Sequence, residues 1–323
     1  MKAALYHHNG PSSVLSVEDI PTPNPGPGEV RVKIVCSGVN PTDWKIRSGI
    51  TMGEPDGFQI PHQDGSGIID AVGEEVADRG IGQRVWLYMA AAGNRYGTAA
   101  EYSLLPAKRT VLLPDNASYE LGASLGVPAV TAAHCLGGDP KAISGANILV
   151  AGGAGAVGHY AIELAKHAGA RVATTVSSTY KAQLAEAAGA DLVVNYKTDN
   201  VTEKLKSFAP QMDRIIEVAF GANLEINLAL SGPGTEIVVY ADEIKEPVLP
   251  TRRLMMANLT IRYVLLYRIR PHELDAAVNW TSEALRQGAL STLPIHSFPL
   301  QEVAKAQDFL QQGAVGKVIV LPQ

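Results

Sequence analysis

Residues 147–158 read Asn-Ile-Leu-Val-Ala-Gly-Gly-Ala-Gly-Ala-Val-Gly, an apolar run that breaks into four glycines. The glycines satisfy two registers, Gly153-x-Gly155-x-x-Gly158 and Gly152-x-x-Gly155-x-x-Gly158. Glycine permits a tight turn and a close approach of backbone N–H groups to a pyrophosphate, which then rests on the positive end of the following helix. That helix is expected from Ala156 and Val157 onward, because Val157, Ala161, Leu164, Ala165 and Ala168 recur at helical spacing. A second apolar run opens at Arg171 and completes a strand–helix–strand unit.

The rhythm continues beyond that unit. Apolar runs at 148–151, 171–176, 191–195, 214–218, 236–240 and 259–264 alternate with helix-length segments. They predict an α/β fold with a doubly wound parallel sheet. Upstream, β-branched runs at 30–35, 67–72, 84–87 and 110–113 stand between prolines and glycines, as in an all-β body. The four prolines of residues 21–28 exclude a helix there. A helix is expected at 271–288 and a closing strand at 318–321, and these last segments are expected to rejoin the first body. The predicted division is 1–122 with 270–323, and 123–269.

The dinucleotide is decided after the second strand of the unit. A carboxylate there would pair with the ribose hydroxyls of NAD and repel a 2′-phosphate. The sequence instead places Ser177, Ser178 and Lys181 there, hydroxyl donors and a cation that suit a phosphate, so NADPH is the expected cofactor. Ser178 also has the character of a helix N-cap.

With a net charge of −5, the chain has no general attraction to nucleic acid or to an anionic membrane. Its two cysteines, Cys36 and Cys135, build neither a disulfide framework nor a four-thiolate zinc lobe, and buried free thiols are expected. No uninterrupted apolar stretch approaches bilayer-spanning length, and a cytoplasmic location is expected.

Several spaced motifs resemble the medium-chain dehydrogenase/reductase superfamily, and within it the zinc-free quinone oxidoreductases related to zeta-crystallin. They are Gly38-Val-Asn-Pro-Thr-Asp43, Ile46-Arg-Ser-Gly49, Asp64-Gly-Ser-Gly67, Gly82-Gln-Arg-Val85, Gly97-Thr-Ala-Ala-Glu-Tyr102, the 152–158 turn and Gly316-Lys317. The resemblance implies a GroES-like catalytic domain plus a Rossmann domain. It also implies that Asn40, Gln63 and Val127 stand where relatives with zinc hold the metal. Two amides and an isopropyl group do not make a zinc site, so no metal is expected. A lone histidine at His62 is better read as packed or hydrogen-bonded.

The resemblance further puts Asn40 and Asp43 beside the nicotinamide and Thr131 against it. Ser177, Ser178, Lys181 and Tyr196 fall in the 2′-phosphate and adenosine pocket, with Lys317 as an additional cofactor candidate. Where many quinone reductases have tyrosine, this chain has Lys45 after Trp44. Trp44 could wall a planar acceptor, Lys45 could reach an oxyanion, and Tyr88 and Tyr96 are candidate proton donors. The implied activity is NADPH-dependent reduction of a quinone, with reduction of an enone, alkenal or enoyl thioester as the alternative. A noncatalytic nucleotide-binding protein of crystallin or RNA-binding type is a third reading. The apolar run at 259–266 is expected to be a sheet edge that pairs with a second copy in a homodimer.

Overall fold

The computed structural model describes residues 1–242 and 247–323. The chain divides into two units, Met1–Val127 with Thr292–Gln323, and Pro128–Ser291.

In the first unit β1 (Lys2–Leu5) pairs antiparallel with β2 (Ser16–Asp19). After the proline-rich segment comes β3 (Glu29–Gly38), the sheet's most extensively paired strand. Its Val30, Val32, Ile34 and Cys36 are buried while Lys33 is exposed, the period of two that a sheet covered on one face requires. α1 (Pro41–Arg47) follows. Asn40 precedes it in extended conformation, Pro41 fixes the first helical φ, and Asp43 Oδ2 accepts the Asn40 backbone N–H at 2.7 Å. Next come β4 (Asp64–Val72), β5 (Arg84–Leu87), β6 (Tyr102–Pro106), β7 (Thr110–Leu112) and the short α2 (Tyr119–Gly122). One core cluster gathers Val30, Val32 and Ile34 with Ile69, Val85, Leu87 and Leu105.

The second unit runs α3 (Pro128–Cys135), β8 (Asn147–Ala151), α4 (Ala156–His167), β9 (Arg171–Val176), α5 (Thr179–Ala187), β10 (Leu192–Asn195) and α6 (Val201–Phe208). It continues with β11 (Arg214–Glu217), α7 (Phe220–Leu230), β12 (Glu236–Val239), α8 (Thr251–Ala257), β13 (Thr260–Tyr263) and α9 (Pro271–Arg286). All six strands are parallel, in the order β10-β9-β8-β11-β12-β13. The expected doubly wound sheet is therefore present, with its switch point between β8 and β11.

After α9 the chain returns to the first unit as β14 (Ile295–Pro299), α10 (Val303–Gln311) and β15 (Lys317–Leu321), with β15 antiparallel on β3. The return falls at Thr292 rather than 270, because α9 buries Ala277, Trp280, Ala284 and Leu285 within the second unit, against α3 and α4. The helix that the first unit needs is α10, which buries Val303, Ala306 and Gln307. Among the described residues no helix is long and apolar enough to cross a membrane.

Candidate functional site

In the second unit the glycines act through what they leave out. A Cβ on Gly153 would lie 2.2 Å from Thr174 Oγ1, and one on Gly158 would lie 2.4 Å from the Gly152 carbonyl oxygen. Side chains at either place would push the turn off β9 or lift α4 from the turn. Gly155, the N-cap of α4, makes no side-chain hydrogen bond to the helix, so the N–H groups of the first turn gain no capping side chain from it. Such a cradle fits a dinucleotide pyrophosphate, held by backbone groups of residues 152–158.

At the end of β9, Ser177, Ser178 and Lys181 are partly exposed, and Tyr196 is 53% exposed at the end of β10. These two strands are neighbours in the sheet, so the four side chains belong to one edge of the unit. Ser178 Oγ accepts the Lys181 backbone N–H at 3.3 Å, making it the N-cap of α5. Thr131 lies in α3, 6% exposed.

In the first unit the polar candidates form a buried cluster. Asn40 Nδ2 donates to Asp64 Oδ2 at 2.7 Å, and Lys317 Nζ donates to Asn40 Oδ1 at 2.8 Å while standing 3.5 Å from Asp64 Oδ2. Asp64 Oδ1 accepts the Val127 backbone N–H at 2.8 Å. Lys317 is 3% exposed, and its ammonium is committed to Asn40 and Asp64 rather than presented to a dinucleotide. Burial raises the Asp64 carboxyl and lowers the Lys317 ammonium, with their mutual attraction opposing both shifts. Asp43 next to them is pushed up to about 8, chiefly by burial.

His62 is fully buried at a left-handed φ of 77°. Arg47 Nε donates to Gln307 Oε1, which leaves the Gln307 amide nitrogen to donate to His62 Nε2 at 3.2 Å. His62 Nδ1 must then carry the proton and donate to Ser37 Oγ, with Thr98 Oγ1 next in line and donating to the Asp64 carbonyl. A neutral ring follows, and burial drives its pKa down to about 3. The expectation of a hydrogen-bonded, packed histidine describes what is observed.

A cleft of about 310 Å³ in the same unit is lined by Tyr6, Asp43, Met52, Phe58 and Gln63 among others. Asp43 is a buried carboxyl in its wall, 2% exposed, with Oδ1 left without a hydrogen-bond partner. Trp44 and Lys45, on α1, are partly buried, the Lys45 ammonium 6.0 Å from the indole centroid. Tyr88 is 5% exposed and its hydroxyl donates to the Lys108 carbonyl at 2.8 Å, so it is not a free proton donor. Tyr96 stacks edge-on against Phe58, which lines the cleft. Sequence reading gave no role to Asp64, Tyr6 or the 52–58 loop. Asp64 opens the Asp64-Gly-Ser-Gly67 segment, but nothing local marks its partner Asn40.

A strand–glycine turn–helix cradle on a doubly wound sheet, with a β-rich companion unit, defines a two-domain nicotinamide-nucleotide oxidoreductase. The family model for the alcohol dehydrogenase GroES-like domain matches residues 26–115, and that for the zinc-binding dehydrogenase matches residues 156–283. The chain is 29% identical over 321 residues to the quinone oxidoreductase of Rattus norvegicus, covering 98% of this chain and 96% of that one. It is 27% identical over 338 residues to a 2-haloacrylate reductase from a Burkholderia species, covering 99% of both. A mycobacterial protein solved in complex with NADPH superposes with a TM-score of 0.84 at 27% identity, covering 100% of both chains. The chain belongs to the medium-chain dehydrogenase/reductase superfamily, in its quinone oxidoreductase family.

The zinc in the name of one matching family finds no suitable donors at Asn40, Gln63 and Val127. Asn40 has its amide between a carboxylate and an ammonium, Gln63 Oε1 accepts the Ala91 N–H, and Val127 offers only its backbone. Both cysteine thiols are pushed up to about 12 by burial, away from thiolate. Among the described residues no group of three or more His, Cys, Asp or Glu could hold a metal. The residues do not fit zinc.

Proposed function

We propose that the chain is a zinc-independent, NADPH-dependent reductase of a quinone. The observation that carries this is the buried Asn40–Asp64–Lys317 cluster, where an internal ammonium donates to the amide of Asn40, one of the three residues that would have to ligate a Lewis acid. Without that acid, alkoxide formation from an alcohol has no support at neutral pH, whereas a quinone is already electrophilic. Bound on residues 152–158, the dihydronicotinamide supplies the hydride, and the acceptor becomes a hydroquinone on taking up a proton.

The roles of the chain's own residues follow. Ser177, Ser178, Lys181 and Tyr196 favour the 2′-phosphate, and Thr131 bears on the nicotinamide side. Asn40 positions Asp64 and Lys317. Asp43 holds its proton at Oδ1, since Oδ2 accepts the Asn40 N–H, and it returns that proton to the reduced acceptor. Activity should accordingly fall as pH rises through about 8. Trp44, Lys45 and Tyr96 shape the surroundings without a required proton. The 27% identity with a 2-haloacrylate reductase favours a second reading, reduction of an activated carbon–carbon double bond.

The test is NADPH and NADH oxidation against quinones, enones, alkenals and enoyl thioesters, with metal analysis of the same preparation. Quinone turnover with NADPH preferred and no stoichiometric zinc is expected; zinc-dependent alcohol oxidation would sink the reading. We further propose a homodimer through β13, an outer strand of the six-stranded sheet with Tyr263 63% exposed; a monomer at micromolar concentration would refute it.

A further inference from the structure

The cleft beside Asp43 has a rim whose charge is unlike its walls. Its walls offer Phe58 and Ile46 as apolar surface, with the exposed Met52 at the mouth, and Asp43 as a buried carboxyl with one oxygen unsatisfied. The charged rim residues are Glu54, Asp56 and Arg95. Glu54 is held in place by the Asn9 N–H on its Oε2 at 2.7 Å. Asp56 stands fully in solvent, 3.6 Å from the Arg95 guanidinium, which also lies 5.1 Å over the Phe58 ring. Arg95 therefore offsets one of the two rim carboxylates, and the mouth keeps an excess negative charge. The other ionisable linings are Tyr6 and His62, a phenol held protonated and a ring held neutral by burial, so they add no compensating cation.

From this we infer that the cleft is the acceptor slot of the proposed reductase and that it selects uncharged planar acceptors, turning away carboxylates, sulfonates and the phosphate-bearing acyl thioesters. This rests on the reductase reading and sharpens its substrate class. The apolar walls favour a desolvated ring, while an anion must approach an acidic mouth and then bring its charge near Asp43. Of the alternatives left by the fold, the neutral quinone and the neutral enone fit, and the enoyl thioester of an anionic carrier does not.

A matched pair of acceptors tests this with the full-length protein, 1,4-naphthoquinone and its 2-sulfonate, assayed by NADPH oxidation at low and at high salt. The sulfonate should be used less well, by on the order of tenfold in kcat/KM at low ionic strength, with the gap narrowing as salt screens the rim. The double variant Glu54→Gln, Asp56→Asn should raise the kcat/KM ratio of the sulfonate to naphthoquinone several-fold. The two quinones differ in intrinsic reactivity, so the change on substitution is the deciding quantity. A sulfonate rate indifferent to both salt and the double variant would overturn the charge selection while leaving the reductase reading intact. Turnover of neither quinone, with NADPH bound, would instead remove the quinone-reductase reading and this inference with it. Ile46→Trp, which puts a bulkier side chain on a partly buried wall of the cleft, should raise KM for naphthoquinone without changing NADPH affinity; an unchanged KM would overturn the assignment of the slot.

Discussion

The Pro128–Ser291 unit shapes its cradle from backbone, whereas the other unit builds its polar cluster from side chains gathered from both ends of the chain. The glycine cradle lies within residues 152–158, and its shape depends on missing atoms at Gly153 and Gly158. The polar cluster joins Asn40 to Lys317 across 277 residues of sequence and depends on charges that must be satisfied out of water. A backbone site tolerates change in everything but volume. A buried charge cluster tolerates change in volume better than in charge.

The largest expected effect should fall on the charge cluster. Lys317→Met removes the ammonium and leaves Asp64 buried with less compensation, so urea unfolding should report a loss of about 3–5 kcal/mol. Adding Asp64→Asn should recover much of it, since an amide needs no counterion. A double variant no better than the single one would mean that Lys317 acts through packing. In the cradle, Gly153→Ala puts a methyl where Thr174 Oγ1 stands 2.2 Å away. A smaller stability loss, about 1–3 kcal/mol, is expected from overpacking, with NADPH affinity by calorimetry falling on the order of tenfold. Unaltered NADPH affinity in a folded Gly153→Ala protein would break the assignment of this turn.

The third effect is a slope. Asp43 has a folded pKa raised to about 8 from 3.8, so its contribution to stability is complete below the lower value and is lost as pH rises through the upper one. His62, lowered to about 3 from 6.5, has the opposite sign: its neutral folded form costs stability as pH falls from 6.5 toward 3. The two oppose each other in mild acid and part company above pH 6.5, where His62 is neutral folded or unfolded. Between pH 6.5 and 8 the stability of the native protein relative to Asp43→Asn should fall, by up to about 1.4 kcal/mol per pH unit. Parallel curves from denaturation at each pH would contradict a protonated Asp43.

The same contrast explains what could be read from the residues. The sheet and its cradle were legible because strand, turn and helix are adjacent in sequence and each is announced by its own periodicity. The side-chain site was half legible. Asn40 and Asp43 could be singled out, but not that Asn40 would be occupied by Asp64 and Lys317, nor that the Tyr88 hydroxyl would be taken by the Lys108 carbonyl. Such pairings are decided by tertiary proximity, for which the sequence carries no local mark. The return point of the chain failed for a related reason. The first unit did need a helix, but α9 and α10 both offer amphipathic faces, and only packing distinguishes the one that buries Trp280 in the second unit from the one that buries Gln307 in the first.

The smallest effect separates two jobs at one residue. Ser178 caps α5 through its hydroxyl oxygen and is also a candidate for the 2′-phosphate. Ser178→Ala should lose both, with a stability cost of about 1 kcal/mol. Ser178→Asp keeps an oxygen that can accept the Lys181 N–H and adds a negative charge near the helix N-terminus, so stability should change by only a few tenths of a kcal/mol. That same charge would face a phosphate, and the kcat/KM ratio of NADPH to NADH should drop several-fold further than in Ser178→Ala. Lys181→Ala should move the ratio in the same direction without touching the cap, since the cap uses the Lys181 backbone and not its ammonium. If Ser178→Asp shifted stability but not coenzyme preference, the hydroxyl would be a cap alone, and the phosphate reading would rest on Ser177, Lys181 and Tyr196.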